Sequence, residues 1–169
     1  LVMKPSGVSR DILTSTLWPH DECERARHLL ADTVTVLNRA FGEEVIVAIG
    51  DDLHLQPGRV ACDARQFEDA FERTALEEAV KLYEGPFLDG FFVEGSDEFD
   101  GWASNERDRL HTLFERALEL RAEECARQGD DRAALECWRR LAAENPYDSR
   151  VACQVAQALA RAGDPASAL

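Results

Sequence analysis

The chain has 169 residues, of which 45% are hydrophobic, and its net charge is −14 at pH 7. Nonspecific nucleic-acid binding requires an excess of Lys and Arg, so this charge excludes a protein that coats DNA or RNA, while a local basic face stays open. No apolar run approaches the roughly 20 residues of a membrane span, which predicts a protein without a membrane partner.

The residue types that carry catalysis or bind cofactors form no pattern here. Five cysteines, an odd number without paired spacing, predict reduced, buried thiols in a cytoplasmic protein. His20, Cys23 and His28 supply three of the four ligands of a zinc site, and no fourth is evident. No Gly-rich phosphate loop or nucleophile elbow occurs. The sequence therefore predicts no enzyme, cofactor or metal site.

The first third of the chain alternates helix, turn, helix and hairpin. Ser9 is a suitable N-cap for a helix that Trp18-Pro19 closes, and a longer amphipathic helix, 23–41, ends at Gly42. Two β-branched or alternating runs, 45–49 and 53–55, flank a turn. This is the order of a winged helix-turn-helix, whose second helix enters the DNA major groove.

The polar face of helix 23–41 holds the candidate DNA contacts. They are Arg25, Arg27, His28, Thr35, Asn38 and Arg39. Arginine suits phosphate or guanine, and asparagine suits the edge of adenine. The alternative is an ordinary solvated face, which Asp32 on the helix and Asp51-Asp52 at the hairpin tip favour because carboxylates repel phosphates.

Helical patterns continue after Arg59, at 64–71, 75–83, 102–127, 131–144 and 149–162. The intervening segment 87–101 is predicted to be a loop, and it is dense in Phe and acidic residues. It has two interpretations. One is a partner-binding site, and the other is a packing loop whose Phe side chains enter the core while its acids face water.

A repeat organises the end of the chain. Segments 122–130 and 156–164 share alanines, an arginine, a glycine and an aspartate at a spacing of 34 residues, the length of a tetratricopeptide repeat. The residues that define it are Gly129, Ala134, Trp138, Pro146, Gly163 and Ala168. Glycine allows the turn between helices, alanine a close helix approach, tryptophan fills the groove, and proline ends the helix. The second repeat stops at Leu169, so we expect the sequence to be part of a longer protein.

Several runs resemble one family. Runs 8–13, 17–19, 25–29 and 36–42 resemble the winged-helix half of the bacterial antibiotic-regulatory-protein family of transcription activators. The Tyr-x-Gly-Pro-Phe-Leu run at 83–88 and the Trp-x-x-x-Glu-Arg run at 102–107 resemble that family's bacterial transcriptional activator domain.

The resemblance implies a mainly α protein of two domains. Residues 1–58 would be a winged helix-turn-helix that lacks its first strands, and residues 59–169 a tetratricopeptide-like domain that binds partner proteins, such as the transcription machinery or another protomer. The expected function is a bacterial transcriptional regulator that binds promoter DNA through helix 23–41. The alternative is an interaction scaffold or signalling adaptor whose winged helix does not bind DNA.

Overall fold

The computed structural model describes residues 1–163. Its contacts define two compact units. The sheet unit contains Leu1–Gln66 and Gly85–Asp108, and the helical unit contains Phe67–Glu84 and the chain from Arg109 onward. Each unit thus joins two separate stretches of chain. The predicted boundary at residue 58 is a different division, and it stays a prediction.

The mainly α fold class is confirmed, and so is the hairpin. In chain order, the elements of the described residues are β1 (Val8–Ser9), α1 (Arg10–Leu17), α2 (Cys23–Phe41), β2 (Ile46–Ile49), β3 (Asp52–Leu55), α3 (Asp63–Glu72), α4 (Leu76–Leu82), α5 (Asp97–Gln128), α6 (Asp131–Glu144) and α7 (Ser149–Arg161). The three strands form one antiparallel sheet in the order β1-β3-β2.

Helix signals in the sheet unit are local and strong. The Ser9 hydroxyl accepts a hydrogen bond from the Ile12 amide at 3.3 Å, which caps α1. Gly42 ends α2 with φ of 71°, a left-handed conformation that suits glycine. The strand β1, just before α1, was not predicted. Its register pairs Val8 with Leu53, and two residues are too few to show an alternating pattern.

The core of the sheet unit lies between α2 and the hairpin. Leu30 packs there with Val45, Ile46 and Leu53, all buried. The partly buried Leu13, Trp18, Val34, Leu55 and Val60 surround this cluster. The apolar face of α2 therefore holds the hairpin, and the opposite face of the helix is left for solvent.

A glycine lets the hairpin approach the segment before β1. Gly7 has φ of 89°, and a Cβ built on it would lie 2.4 Å from Cε1 of His54. The imidazole of His54 therefore occupies the space that any side chain at position 7 would need. Both residues adjoin the β1–β3 pair, in which Val8 is opposite Leu53.

The helix α5 begins earlier than predicted. We expected a loop over 87–101 and a helix from Trp102, but α5 starts at Asp97. The Ser96 hydroxyl accepts from the Phe99 amide at 3.1 Å and donates to the Thr16 carbonyl. A serine followed by acidic residues in the first turn is a helix start, because both satisfy or complement the free N–H groups there. Gly101 inside the helix obscured that signal.

The helical unit has an aromatic centre. The Phe114 ring is fully buried and stacks on Tyr83, with 4.2 Å between centroids and 10° between planes. Phe67 contacts Tyr83 in a tilted arrangement, with 5.5 Å between the ring centroids. The Arg140 guanidinium lies 4.7 Å from the Phe114 centroid and donates to the carbonyl oxygens of Val80 and Tyr83. Arg140 therefore ties α6 to the end of α4.

Thiol burial is uneven, which corrects the expectation of buried cysteines. All five are free, but Cys23 and Cys153 are exposed and only Cys125 is buried. Burial raises the pKa of the Cys125 thiol, and it raises the pKa of Cys137 to about 11. A raised thiol pKa keeps the unreactive, protonated form up to higher pH.

Alkylation of the native protein should follow this difference. At mildly alkaline pH we expect iodoacetamide to modify Cys23 and Cys153 while sparing Cys125 and Cys137, because only the thiolate reacts. Peptide mass spectrometry gives the rate at each site. The same reaction in urea is the control and should modify all of them. Equal native rates for Cys137 and Cys153 would contradict the described burial.

Candidate nucleic-acid interface and repeat positions

The helix α2 is fastened to the hairpin by one side chain. The Asn38 amide oxygen accepts from the backbone N–H groups of Val45 and Ile46, at 3.0 and 2.8 Å. Its Nδ2 donates to the Ile46 carbonyl at 2.9 Å. Val45 is fully buried and Ile46 nearly so, so their amide hydrogens have little access to water. Asn38 therefore fixes where the hairpin leaves α2.

The predicted contact of Asn38 with DNA stays a prediction, and this geometry argues against it. Its amide oxygen and nitrogen are both used by the hairpin backbone, and the residue is partly buried. Reading adenine requires both groups of the amide to face the base. The sequence placed Asn38 on the outward face because a polar residue on a helix is usually solvated. What it contacts depends on a hairpin that returns from later in the chain.

Five exposed residues form a line along α2. Arg25, His28, Asp32, Thr35 and Arg39 recur at alternating spacings of three and four residues, so they share one face of the helix. We call this line the α2 stripe. It includes four of the six predicted DNA contacts.

Charge along the α2 stripe alternates. Arg25 pairs with Asp21 at 3.1 Å but keeps 73% of its side chain exposed, so it remains available to an anion. Within residues 1–163, Arg39 makes no ion pair, and neither does Asp32 at the centre of the stripe. Thr35 donates its hydroxyl to the Ala31 carbonyl of its own helix. The stripe is therefore two cations separated by a carboxylate, and it is not a continuous basic patch.

Arg27 lies outside the α2 stripe. Its guanidinium pairs with Asp11 of α1 at 3.0 Å, although the side chain is 56% exposed. The hydrogen bond that Arg27 donates to the Asp11 carboxylate is the main cause that raises the pKa of Arg27 above its usual value. The structure therefore places Arg27 at the α1–α2 junction. An exposed pair of this kind contributes little to stability, so Arg27 is available to bind phosphate beside α1.

The hairpin tip is acidic. The turn between β2 and β3 contains Gly50, with φ of 64°, and the exposed Asp51. The backbone carbonyl of Asp51 accepts a hydrogen bond from the Arg10 amide at 3.2 Å, which holds the tip close to the start of α1. Ile49, beside the turn, is 62% exposed. A wing of this composition does not attract phosphate.

The predicted repeat positions occupy turns and helix contacts in the helical unit. Gly129 and Gly163 have φ of 80° and 84°. Ala134 and Trp138 are 2% and 7% exposed on the inner face of α6. The helix α6 ends at Glu144, two residues before Pro146, since proline disfavours helical geometry in the residue that precedes it. Ala168 lies outside the described residues.

The described residues, 1–163, contain neither a metal-binding cluster nor a membrane-spanning helix. Over residues 1–163, no three His, Cys, Asp or Glu side chains gather as a metal site would require. In the same stretch no helix combines the length and the apolar surface needed to cross a bilayer. Glu68 is a buried acid, and Arg109 pairs with it at 2.6 Å. Both residues belong to the helical unit, so this ion pair has a structural role within that unit.

A helix-turn-helix pair with an antiparallel wing, followed by tetratricopeptide-like helices, is the architecture of a transcription regulator. Residues 52–169 match the family model of the bacterial transcriptional activator domain, and the chain belongs to this family. The resemblance stated from the motif runs is thereby confirmed. This family is regulatory and not enzymatic. A search of curated proteins finds no match.

Proposed function

We propose that the chain is a transcriptional regulator that binds promoter DNA through the α2 stripe and protein partners through its helical unit, in the bacterial cytoplasm. The observation that carries the DNA part is an exposed helix face with an arginine at each end, on a helix that Asn38 fixes to a wing. The family supports the regulatory part.

The α2 stripe has the dimensions of a groove reader. Arg25 and Arg39 are 14 residues apart, which is roughly 21 Å along a helix. A helix in the major groove can therefore reach phosphates on both sides while its middle faces the bases. Arg27 beside α1 adds a third phosphate contact. His28 and Thr35 lie between the end arginines and carry hydrogen-bonding groups toward the base edges.

Asp32 at the centre of the stripe has two opposite effects. Its charge repels phosphates and lowers overall affinity. A carboxylate in the major groove also accepts a hydrogen bond from the amino group of cytosine, so it selects for that base. When the helix enters the groove, Asp32 therefore lowers the overall affinity for DNA and adds a preference for sequences with cytosine.

The test compares two double variants, each of which replaces two arginines with alanine. Arg25→Ala/Arg39→Ala should weaken duplex binding and reduce the slope of log affinity against log salt by about 2, because each lost phosphate contact removes about 0.9. Arg132→Ala/Arg139→Ala, on exposed positions of α6, changes the net charge equally and should leave binding unchanged. Fluorescence anisotropy with short duplexes, from about 20 to about 200 mM salt, measures both.

Asp32→Asn is the third variant and should act in the opposite direction. It keeps the shape and removes the charge, so we expect tighter binding to every duplex and a smaller preference for cytosine-containing sites. Equal losses in the two arginine doubles would contradict the assignment of the stripe. Absence of binding at the lowest salt, in a protein with intact circular dichroism, would contradict DNA binding by this chain.

A second candidate function rests on the same acids. With Asp32 in the stripe, Asp51 at the wing and a net charge of −14, the chain also fits a protein-interaction adaptor whose winged helix does not bind DNA. Its helical unit would then be the functional surface, with the transcription machinery or a second copy as partner. Sedimentation velocity of the chain alone distinguishes self-association from binding to another protein.

A further inference from the structure

The segment before α5 forms a folded loop with an unassigned outer surface. We call residues 87–96 the aromatic loop, and all of it belongs to the sheet unit. Three aromatic residues and two aliphatic ones occur in this short stretch: Phe87, Leu88, Phe91, Phe92 and Val93. A loop of this composition requires either a core to enter or a partner to cover it.

Arg107 holds the backbone of the aromatic loop. Its Nε donates to the Phe87 carbonyl at 2.7 Å, and its Nη2 donates to the carbonyls of Leu88 and Phe91 at 2.8 and 3.4 Å. The Asp100 carboxylate accepts from the Val93 amide at 3.4 Å. Two side chains of α5 therefore fix both halves of the loop, which makes its outer surface preorganised for binding.

Only part of the aromatic loop is used for packing. Phe87 contacts Trp102 edge-on at 5.8 Å between centroids, and Phe91 contacts Phe99 in the same way. The outer surface keeps Phe92 at 69%, Phe91 at 51% and Leu88 at 37% exposure. Of the two interpretations of this segment, packing therefore accounts for the inner side chains and leaves the outer ones without a role.

Leu88 is held outward in an uncommon conformation. Its φ is 49°, in the left-handed region that non-glycine residues rarely adopt. The Phe91 amide donates to its carbonyl at 3.1 Å, which closes a turn and brings Leu88 beside Phe91. Strain of this kind persists where the surroundings fix it, and it is frequent at binding sites.

The surroundings of this surface are acidic. Residues 85–106 contain six Asp or Glu residues and no Lys, Arg or His, and the guanidinium of Arg107, which follows, donates to backbone carbonyls of the loop. The exposed Asp89, Glu94, Asp97 and Glu98 make no ion pair with any residue among 1–163. Such a rim repels nucleic acid and anionic lipid, and it attracts cations.

We propose that the outer surface of the aromatic loop is a docking site for a segment of a partner protein that combines apolar side chains with Lys or Arg. Phe92, Phe91 and Leu88 would receive the apolar side chains, and the four carboxylates would pair with the cations around them. Apolar anchors inside a charged rim are the usual arrangement of a protein interface. This site is independent of DNA binding by the α2 stripe.

The test is selection from a displayed library of random peptides. Wild-type protein should enrich peptides that contain Lys or Arg next to aromatic or aliphatic residues. The selected peptides should then bind Leu88→Gly/Phe92→Ala at least about tenfold more weakly than wild type, by anisotropy. Glycine fits φ of 49° better than leucine and Phe92 is largely exposed, so this variant should melt no lower than wild type.

Two further variants complete the design. Val36→Ala/Ile49→Ala removes apolar side chains that are 61% and 62% exposed elsewhere in the same unit, and it should bind as wild type does. Asp89→Asn/Glu94→Gln keeps the apolar surface and should weaken basic peptides in proportion to their charge. If Leu88→Gly/Phe92→Ala fails to fold, the loss of basic-peptide binding in Asp89→Asn/Glu94→Gln still tests the docking site.

Three results would overturn the docking site. They are selected peptides without an excess of Lys and Arg, peptides that bind all variants equally, and a selection that yields no peptide above background. Dimerisation of the wild type that Leu88→Gly/Phe92→Ala abolishes, without peptide binding, would instead assign the surface to a second copy of the chain.

Discussion

Replacing Phe114 with alanine is expected to lower the free energy of unfolding by about 3–5 kcal/mol. The ring is fully buried, stacks on Tyr83 and lies under the Arg140 guanidinium. Its removal opens a cavity in the aromatic centre of the helical unit, and it removes the surface against which Arg140 is positioned. Among the described residues of this unit, no other ring both stacks on an aromatic ring and faces a guanidinium.

Urea unfolding followed by circular dichroism measures this loss. Tyr147→Ala is the control, because that ring is 99% exposed and its removal should change stability by less than about 0.5 kcal/mol. A second observable is the Tyr83 phenol, whose pKa burial raises above its usual value, with smaller contributions from Glu144 and Glu115. In the Phe114 variant it should ionise at lower pH. Equal stabilities of the two variants would contradict the described core.

Asn38→Ala is expected to destabilise the sheet unit by about 2–3 kcal/mol, because it leaves buried backbone groups unsatisfied. The Ile46 amide would lose its acceptor and the Ile46 carbonyl a donor, while the Val45 amide would keep the Glu43 carbonyl, 3.1 Å away. Thr35→Ala on the same helix is the control, since its hydroxyl bonds only to its own helix backbone.

Residue-resolved hydrogen exchange is the suitable measurement, since it reports on the sheet unit by itself. The amide of Ile46 should exchange faster in the Asn38 variant and at the wild-type rate in the Thr35 variant. A different exchange pattern would favour a role of Asn38 in DNA binding. In that case the Asn38 variant would keep its exchange protection and lose affinity for duplex DNA.

Local signals account for what the sequence predicted well. The bounds of α2 and α6 agree with the prediction because the Asp130 cap that starts α6, and the glycine or proline beyond the end of each helix, act within a few residues of the chain. The repeat was visible because its two copies carry the same alanines, arginine, glycine and aspartate 34 residues apart. Ala134 and Trp138 are buried as a close helix contact requires.

Nonlocal contacts account for what it missed. The role of Asn38 depends on where the hairpin returns, and the pairing of Arg27 with Asp11 depends on the angle between α1 and α2. Neither contact produces a periodic pattern in the sequence from which it could be predicted. The aromatic loop is similar, because composition gave two interpretations and only the ring contacts and exposures of the folded chain separate inner from outer side chains.

The contact between Gly7 and His54 links two positions that are far apart in sequence. An alanine at position 7 meets both the imidazole ring and an unfavourable φ, and a smaller residue at position 54 removes only the first obstacle. Glycine should therefore persist at position 7 whatever residue occupies position 54. A directed library that randomises both positions should recover folded variants that keep Gly7 and accept a range of side chains at position 54.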